Sequence, residues 1–230
     1  LCGYGEVVAS ATPSYSYETT STAWLILRDF LIPTLFSKDI ARPEEFYGEV
    51  RRYRGHPMAK AGLELALWDL QAKKAGVPLA RLYGGTRSDI EVGVSLGIEN
   101  SIPELLERIM QFIGEGYRRI KLKIKPGWDI EVVKEVRKHY PDILLQVDAN
   151  GAYSLKDKAG LKMLDAFSLL LLEQPFPPYD LWDHSRLQKE MNTPLCLDES
   201  IISEDTSRQA LEMKSCRIIN IKVGRVGGMV

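Results

Sequence analysis

The pattern of hydrophobic and polar positions along the chain changes near residue 88. Before that point the apolar residues follow a mostly helical spacing. The predicted elements are a short strand at 6–9 and helices at about 19–32, 43–53 and 57–75. The first of these helices is expected to stop before Pro33. The last begins at Pro57 and stops at Gly76, because proline suits a first helical turn and glycine suits a helix end.

From about residue 90 onward, predicted strands and helices alternate. The strands are 90–96, 118–125, 143–149, 169–173, 194–198 and 217–223. The helices are about 102–115, 129–140, 155–166, 180–191 and 203–213. Six strands with five helices between them favour an α/β fold, because parallel strands need a crossover connection. A closed eight-stranded barrel needs two more strand–helix units, so we expect a (β/α) TIM-like barrel that is incomplete in this chain. We therefore assign 1–87 to one domain and 88–230 to the barrel domain, truncated after its sixth strand.

Charged residues recur at the ends of the predicted strands. Lys123, Asp148, Glu173 and Asp198 follow one another at intervals of 25 residues, and Lys222 comes 24 residues later on the sixth strand. The same end of successive parallel strands is where a (β/α) barrel carries its catalytic groups. The spacing therefore predicts that three carboxylates and two lysines converge at one end of the barrel.

Strand alternation predicts which side chains point toward the barrel axis. In 119–125 the isoleucines and the leucine share one face, and the basic residues share the other. The outer face packs on helices and should be apolar, so Lys121 and Lys123 are predicted to point inward. By the same parity, Asp148 is predicted to point inward together with Gln146 and Asn150. Glu173 does so with Leu171, Asp198 with Cys196, and Lys222 with Asn220.

Composition and charge exclude several classes of partner. The 230 residues are 45% hydrophobic and 27% charged, which is typical of a globular protein with a substantial core. The net charge of −1 gives no electrostatic reason to expect a nucleic acid or a membrane partner, and no apolar run approaches the roughly 20 residues of a membrane span. Cys2, Cys196 and Cys216 fit neither a disulfide framework nor a zinc site, which favours a reducing, cytoplasmic location.

The predicted cluster suits acid–base chemistry around a metal ion. Carboxylate oxygens are preferred by hard cations such as Mg²⁺ or Mn²⁺, and such an ion stabilises the charge that develops when a proton leaves the carbon next to a carboxylate. A lysine close to a cation and a second lysine is a suitable base, since like charge and burial both lower its pKa. Lys123 and Lys222 are predicted to meet a substrate from opposite faces. Two bases permit racemisation or epimerisation, whereas one base and one electrostatic helper permit elimination.

Other interpretations remain open for these residues. The run at 118–125 could be a solvated basic edge or a nucleic-acid patch. A single carboxylate after a strand, such as Asp148, is often a helix N-cap or a loop charge. Glu199 points away from the axis by parity, so a supporting hydrogen bond or a helix start suits it as well as a direct role.

The three histidines, His56, His139 and His184, fall in predicted helices or at their edges and are interpreted as surface residues. Their absence from strand ends argues against a zinc site or a histidine base. Two further classes of protein compete: a Schiff-base aldolase with a lysine nucleophile, and a fragment without activity that folds only with a partner.

Several motifs in this order resemble those of the enolase superfamily, in its muconate-cycloisomerase-like branch. They are Lys121-Leu122-Lys123, Asp148-Ala149-Asn150, Glu173-Gln174-Pro175, Leu197-Asp198-Glu199-Ser200 and the stretch 220–228. Within the branch, the segments 123–129, 13–19 and 55–60 are similar to o-succinylbenzoate synthases and the related N-acylamino acid racemases. The resemblance covers essentially the whole chain.

The resemblance implies a role for each residue of the cluster. Asp148, Glu173 and Asp198 would bind Mg²⁺, with Mn²⁺ as the alternative. Lys123 would be the general base, while Lys121 would lower its pKa and touch the carboxylate of a small-molecule substrate. Residues 1–87 would be part of an α+β capping domain.

The resemblance also implies a second acid–base group and the reaction class. Lys222 would act on the opposite face or would stabilise the enediolate, and Asn150 and Ser95 would make supporting contacts to the substrate. The implied activity is Mg²⁺-dependent dehydration to o-succinylbenzoate in menaquinone biosynthesis, with N-acylamino acid racemisation as a further activity. Dipeptide epimerisation and cycloisomerisation are the near alternatives, and a homo-oligomer is expected.

Two parts of the family pattern fall outside the printed sequence. They are the first capping strands with a mobile loop, before Leu1, and the last two barrel strands, after Val230. An open barrel edge would expose unpaired backbone, so this piece alone is expected to be neither active nor stable.

Overall fold

The computed structural model describes all residues, 1–230, and they form two compact units. The first unit comprises Leu1–Asp89 together with Ile221–Val230, and the second comprises Ile90–Asn220. The last ten residues, which the sequence assigned to the barrel domain, therefore lie in the first unit. The domain boundary at residue 87 stays a prediction.

The first unit is helical. Its elements are α1 (Thr20–Ile26), a π-helical segment (Leu27–Leu31), α2 (Ile32–Phe36), α3 (Pro43–Val50), α4 (Pro57–Ala75) and α5 (Leu79–Leu82). Leu31, Phe46 and Ala59 are fully buried and form the centre of its apolar core. Helix α4 ends at Gly76, whose left-handed backbone (φ 68°) closes the helix as expected for a glycine at this position.

The start of α4 is capped from a distant part of the chain. His56 precedes the helix with a left-handed backbone, and its side chain makes no capping hydrogen bond. The buried carboxylate of Glu18 instead accepts the N–H groups of Met58 at 2.7 Å and Ala59 at 3.1 Å. A negative charge is favourable here because the first turn of a helix has unpaired N–H donors.

Two predictions for the first unit are wrong. The stretch at 6–9 is not a strand, because this unit contains no other strand with which it could form a ladder. The helical stretch does not stop before Pro33 but continues through α2 to Phe36. A π-turn comes just before the proline, with the N–H of Ile32 donating to the carbonyl of Leu27. That wider turn changes the hydrogen-bond ladder where Pro33 has no N–H to donate.

The second unit is an α/β structure with one six-stranded sheet. The strands are β1 (Val94–Leu96), β2 (Arg119–Lys123), β3 (Leu144–Asp148), β4 (Leu172–Glu173), β5 (Leu195–Leu197) and β6 (Ile218–Ile219). They pair in sequence order, and every pair is parallel. The helices are α6 (Ile102–Gly114), α7 (Ile130–His139), α8 (Lys158–Lys162), α9 (Leu181–Glu190) and α10 (Glu204–Glu212). The predicted α/β class with six parallel strands is confirmed.

The apolar half of each strand forms the core of the second unit. Ile120 and Leu122 on β2, and Leu145 and Val147 on β3, are at most 1% exposed. The alternate residues are polar, apart from the exposed Leu144 at the start of β3. Apolar residues of α6 and α7, such as Ile109, pack into the same cluster. The alternation predicted for these two strands is therefore confirmed.

Several elements of the second unit differ from the predicted bounds. The first strand begins only at Val94, and the predicted helix at 155–166 consists of α8 between two 3-10 turns, Leu155–Asp157 and Met163–Phe167. The sixth strand ends at Ile219, because β5 ends at Leu197 and offers no further backbone partners. The prediction that Lys222 lies on this strand is wrong.

Lys222 instead precedes a short helix, α11 (Val223–Val226), which belongs to the first unit. None of the helices is both long and apolar enough to cross a membrane.

Candidate active site

The register of the sheet brings three of the predicted site residues side by side. Lys123 at the end of β2 is level with Asp148 at the end of β3, which is level with Glu173 at the end of β4. The 25-residue spacing therefore corresponds to direct lateral alignment across three strands. On β5, Cys196 is level with Glu173, and Asp198 lies two residues further along with the same parity.

Two lysines and two carboxylates form a network of ion pairs at these strand ends. Lys121 Nζ donates to Asp148 Oδ2 and to Glu173 Oε2, both at 3.0 Å. Lys123 Nζ donates to the same oxygen of Asp148 at 2.6 Å. The side chains of the two carboxylates are almost fully buried, whereas the side chain of Lys123 is 30% exposed. A base at this position is thus reachable by a small molecule while its partners are shielded from water.

The carboxylates dominate the electrostatics of the cluster. Burial alone would lower the pKa of Lys121, but the charges of Asp148 and Glu173 outweigh it and raise this pKa above its usual value. The pKa of Glu173 is also raised, first by burial and then by the negative charge of Asp148, against the opposing effect of Lys121. Asp198 adds to this increase. Glu173 is therefore buried beside two further carboxylates, with Lys121 as the ammonium group that opposes them at this residue.

Asn150 contacts the predicted base. Its backbone is left-handed (φ 43°), and its N–H donates to Asp148 Oδ1 at 3.0 Å. Its side-chain oxygen accepts a hydrogen bond from Lys123 Nζ, and its amide nitrogen donates to Glu199 Oε1 at 2.7 Å. The sequence left a supporting hydrogen bond, a helix start or a direct role open for Glu199. The contact with Asn150 is the supporting hydrogen bond.

Gln174 joins the ends of β4 and β5. This residue is fully buried, and its side-chain oxygen accepts the N–H groups of Asp198 at 3.0 Å and Ser200 at 3.2 Å. Its nitrogen donates to the carbonyl of Phe176 at 3.0 Å and to the hydroxyl of Ser200 at 2.8 Å. One amide thus fixes the backbone next to two predicted metal ligands, Glu173 and Asp198. The sequence prediction gave Gln174 no role, although the residue lies in the Glu173-Gln174-Pro175 motif.

The three carboxylates have the chemistry of a hard-cation site but not its closed geometry. No group of three or more His, Cys, Asp or Glu side chains lies close enough together to hold a metal ion. Lys121 instead bridges Asp148 and Glu173. The donors are buried carboxylate oxygens, which are the ligands that Mg²⁺ or Mn²⁺ prefers. The residues fit such an ion, and the ligand set Asp148, Glu173 and Asp198 stays a prediction.

Lys222 lies in a separate cluster within the first unit. Its Nζ donates to the hydroxyl oxygen of Tyr15 at 2.6 Å, and Arg225 Nη1 donates to the same oxygen at 2.9 Å. Lys222, Tyr15 and Met58 line a cavity of about 430 Å³. The sequence prediction gave Tyr15 no role, and only its place in the segment 13–19 pointed to it.

Two further predictions concern single polar residues. Ser95 is exposed on β1, level with Lys121 on β2, and its contact with a substrate stays a prediction.

His184 is not a surface residue, because it is fully buried against Phe176. Its Nε2 accepts the N–H of Phe176 at 3.2 Å, and burial lowers its pKa below the usual range for histidine. Phe176, which His184 contacts, lies outside the helix that carries this histidine, so the pattern of the helix alone did not indicate burial.

Two family models match the chain. Residues 104–230 match the model described as "Enolase C-terminal domain-like". Residues 1–84 match that of the "Mandelate racemase / muconate lactonizing enzyme, N-terminal domain". The chain therefore belongs to the mandelate racemase/muconate lactonizing enzyme family of the enolase superfamily, as the motifs predicted.

Curated relatives and solved structures agree with this membership. The chain is 53% identical over 229 residues to an o-succinylbenzoate synthase of Geobacillus kaustophilus, covering 100% of the chain and 61% of that relative. It is 46% identical to an N-succinylamino acid racemase of Thermus thermophilus, covering 99% of the chain and 62% of the relative. A crystal structure of an enolase-superfamily member from Listeria innocua superposes with a TM-score of 0.95 at 45% identity, covering 99% of the chain and 61% of that structure. The chain thus spans about three fifths of the length of the proteins it matches.

Proposed function

We propose that the protein containing this chain removes a proton from the carbon next to a carboxylate. The proposed activities are dehydration to o-succinylbenzoate and racemisation of N-succinylamino acids. The observation that carries the proposal is the hydrogen bond from Lys123 to Asp148 at adjacent parallel strand ends, beside the buried carboxylate of Glu173. The relatives named above, at 53% and 46% identity, support the choice of substrates. A homo-oligomer and a cytoplasmic location remain predictions.

A divalent cation is part of the proposal. Asp148, Glu173 and Asp198 would hold Mg²⁺, with Mn²⁺ as a substitute. When bound, the ion supplies a positive charge that stabilises the negative charge developing on the substrate carboxylate.

The lysines would carry the protons. Lys123 would take the α-proton on its Nζ, with Asn150 and Asp148 fixing the position of that atom. Lys121 is proposed to contact the substrate carboxylate, since its ammonium group is only partly exposed and keeps its charge. Lys222 would be the second acid–base group in racemisation. In dehydration the hydroxyl on the neighbouring carbon leaves, and together with the abstracted proton it forms water.

Deuterium exchange tests the proton abstraction directly. The intact protein is incubated with Mg²⁺ and an N-succinylamino acid in D₂O, and loss of the α-proton signal is followed by NMR. We expect exchange that stops on chelation and is lost for both enantiomers in Asp148→Ala. In Lys123→Ala it should be lost for the enantiomer that presents its α-proton to this lysine. The dehydration activity is then measured by the formation of o-succinylbenzoate.

The outcomes separate the parts of the proposal. Metal binding without exchange would mean that the substrate class is wrong, and a dipeptide substrate would then be tested for epimerisation. Absence of both metal binding and exchange would refute the site. Exchange of both enantiomers at the wild-type rate in the Lys123→Ala variant would refute the assignment of the base.

A further inference from the structure

Glu64 is a buried carboxylate that the proposed mechanism does not use. It lies in the middle of α4, is only 1% exposed, and receives three hydrogen bonds. Its Oε1 accepts from Trp68 Nε1 at 3.0 Å and from the N–H of Val230 at 3.1 Å, while its Oε2 accepts from the N–H of Met229 at 2.8 Å. Burying a carboxylate costs free energy unless hydrogen-bond donors surround it. The N–H groups of Met229 and Val230 are therefore needed to keep Glu64 buried.

A glycine makes this contact possible. Gly228 has a backbone φ of 138°, which side-chain-bearing residues rarely adopt. A Cβ atom added at Gly228 would lie 2.0 Å from Glu64 Oε2. The backbone can therefore approach the carboxylate only because no side chain is present here.

A short hydrogen-bonded turn connects this contact to Lys222. Helix α11 begins immediately after Lys222, whose carbonyl accepts the N–H of Arg225 at 2.9 Å. The carbonyl of Val223 accepts the N–H of Gly228 at 3.1 Å, which closes the turn directly before Met229. Helix α11 also packs against α4 within the first unit. One end of the turn thus carries the lysine, and the other end is adjacent to the residues that Glu64 holds.

We propose that Glu64 is a positioning residue for Lys222. By fixing the backbone of Met229 and Val230, it sets the position of α11 and therefore of the lysine at its start. This inference rests on the proposed function, in which Lys222 is the second acid–base group. A displacement of about 1 Å in a catalytic group can cost on the order of 100-fold in rate, so a distant anchor can control one step of the reaction.

The two enantiomers of an N-succinylamino acid provide the test. Each enantiomer presents its α-proton to one side, so Lys123 and Lys222 should each serve one of them. Exchange in D₂O is measured separately from the L and D forms with the intact protein and Mg²⁺. The variants Lys123→Ala and Lys222→Ala first assign which enantiomer depends on which lysine.

Glu64→Gln keeps the size of the side chain but replaces one acceptor oxygen with a donor and removes the charge. We expect exchange of the Lys222-dependent enantiomer to fall by roughly 10- to 100-fold. Exchange of the other enantiomer should stay within about twofold of wild type, because Lys123 lies on β2 in the second unit. Glu64→Asp supplies the same ratio if the glutamine variant does not fold.

Asp165→Asn is the matched control. Asp165 accepts the N–H groups of Asn192 at 2.9 Å and Thr193 at 2.8 Å, just before β5 and at the opposite end of that strand from Asp198. This variant should lower the melting temperature without changing the ratio of the two exchange rates.

Equal losses for both enantiomers, or no loss, in folded Glu64 variants would overturn the positioning role. If Lys222→Ala leaves both exchange rates at the wild-type level, the proposed role of Lys222 fails first, and the positioning role fails with it.

Discussion

The two units fix their chemically important side chains in different ways. In the second unit a parallel register sets Lys123, Asp148 and Glu173 side by side, so neighbouring strands repeat one local pattern. In the first unit Lys222 donates a hydrogen bond to Tyr15, which is 207 residues away in the sequence. A repeated strand pattern thus determines one cluster, whereas single long-range contacts determine the other. We expect substitutions in the second unit to affect chemistry most strongly, and those in the first unit, apart from Lys222, to act through stability or position.

Lys123→Ala should have the largest effect. Loss of a general base typically costs about 10²- to 10⁴-fold in rate, and we expect α-proton exchange of the enantiomer that Lys123 serves to fall by that factor. Lys125→Ala is the control, because Lys125 has the same parity but is exposed beyond the end of β2. Its exchange rate should stay within about twofold of wild type. Similar losses in the two variants would mean that general positive charge, rather than the ordered network, governs the reaction.

Gln174→Leu tests the connection between β4 and β5. The leucine variant removes four hydrogen bonds and leaves the buried N–H groups of Asp198 and Ser200 without an acceptor. We expect the free energy of unfolding to fall by about 2–4 kcal/mol, measured by denaturant titration. Gln111→Leu, at an exposed position of α6, should change it by less than about 0.5 kcal/mol. A loss below 1 kcal/mol for Gln174→Leu would show that solvent or a shifted backbone replaces the amide.

Glu18→Ala tests the corresponding long-range contact in the first unit. The variant removes the acceptor for the N–H groups of Met58 and Ala59 at the start of α4. Loss of a helix cap typically costs about 1 kcal/mol of unfolding free energy, and we expect a loss of 1–2 kcal/mol by the same titration. Glu44→Ala, in the exposed first turn of α3, serves as the comparison and should cost only a few tenths. Equal losses would mean that helix-dipole charge, not the buried cap, stabilises α4.

His184 should give the smallest effect, visible in the pH dependence of stability. Burial lowers the pKa of His184 in the folded state, so the unfolded chain binds a proton more readily below about pH 6.5. The free energy of unfolding should therefore fall as the pH falls through this range, by at most about 1.4 kcal/mol per pH unit from this one group. We expect His184→Gln to flatten this slope, and Gln111→Leu, which removes no titratable group, to leave it unchanged. An unchanged slope in the His184 variant would show that the pKa of this histidine is the same in the folded and unfolded states.

The same difference between the units determines what sequence reasoning could find. The alternation at 119–125 and the 25-residue spacing predicted the α/β sheet and the neighbourhood of Lys123, Asp148 and Glu173, because a strand repeats every two residues. The capping role of Glu18 and the burial of His184 depend on residues brought together only by folding, so no local pattern marks them. Lys222 was misplaced for a related reason, since the length of β6 depends on its neighbour β5.

A crystal structure of the intact protein grown with Mn²⁺, recorded at a wavelength where manganese scatters anomalously, tests the central claim most directly. The claim is that the strand ends of the second unit hold a catalytic metal ion. We predict one anomalous peak bonded to an oxygen of each of Asp148, Glu173 and Asp198, with Lys121 no longer bridging the first two. A manganese peak bound elsewhere, with Lys121 still between Asp148 and Glu173, would contradict the account.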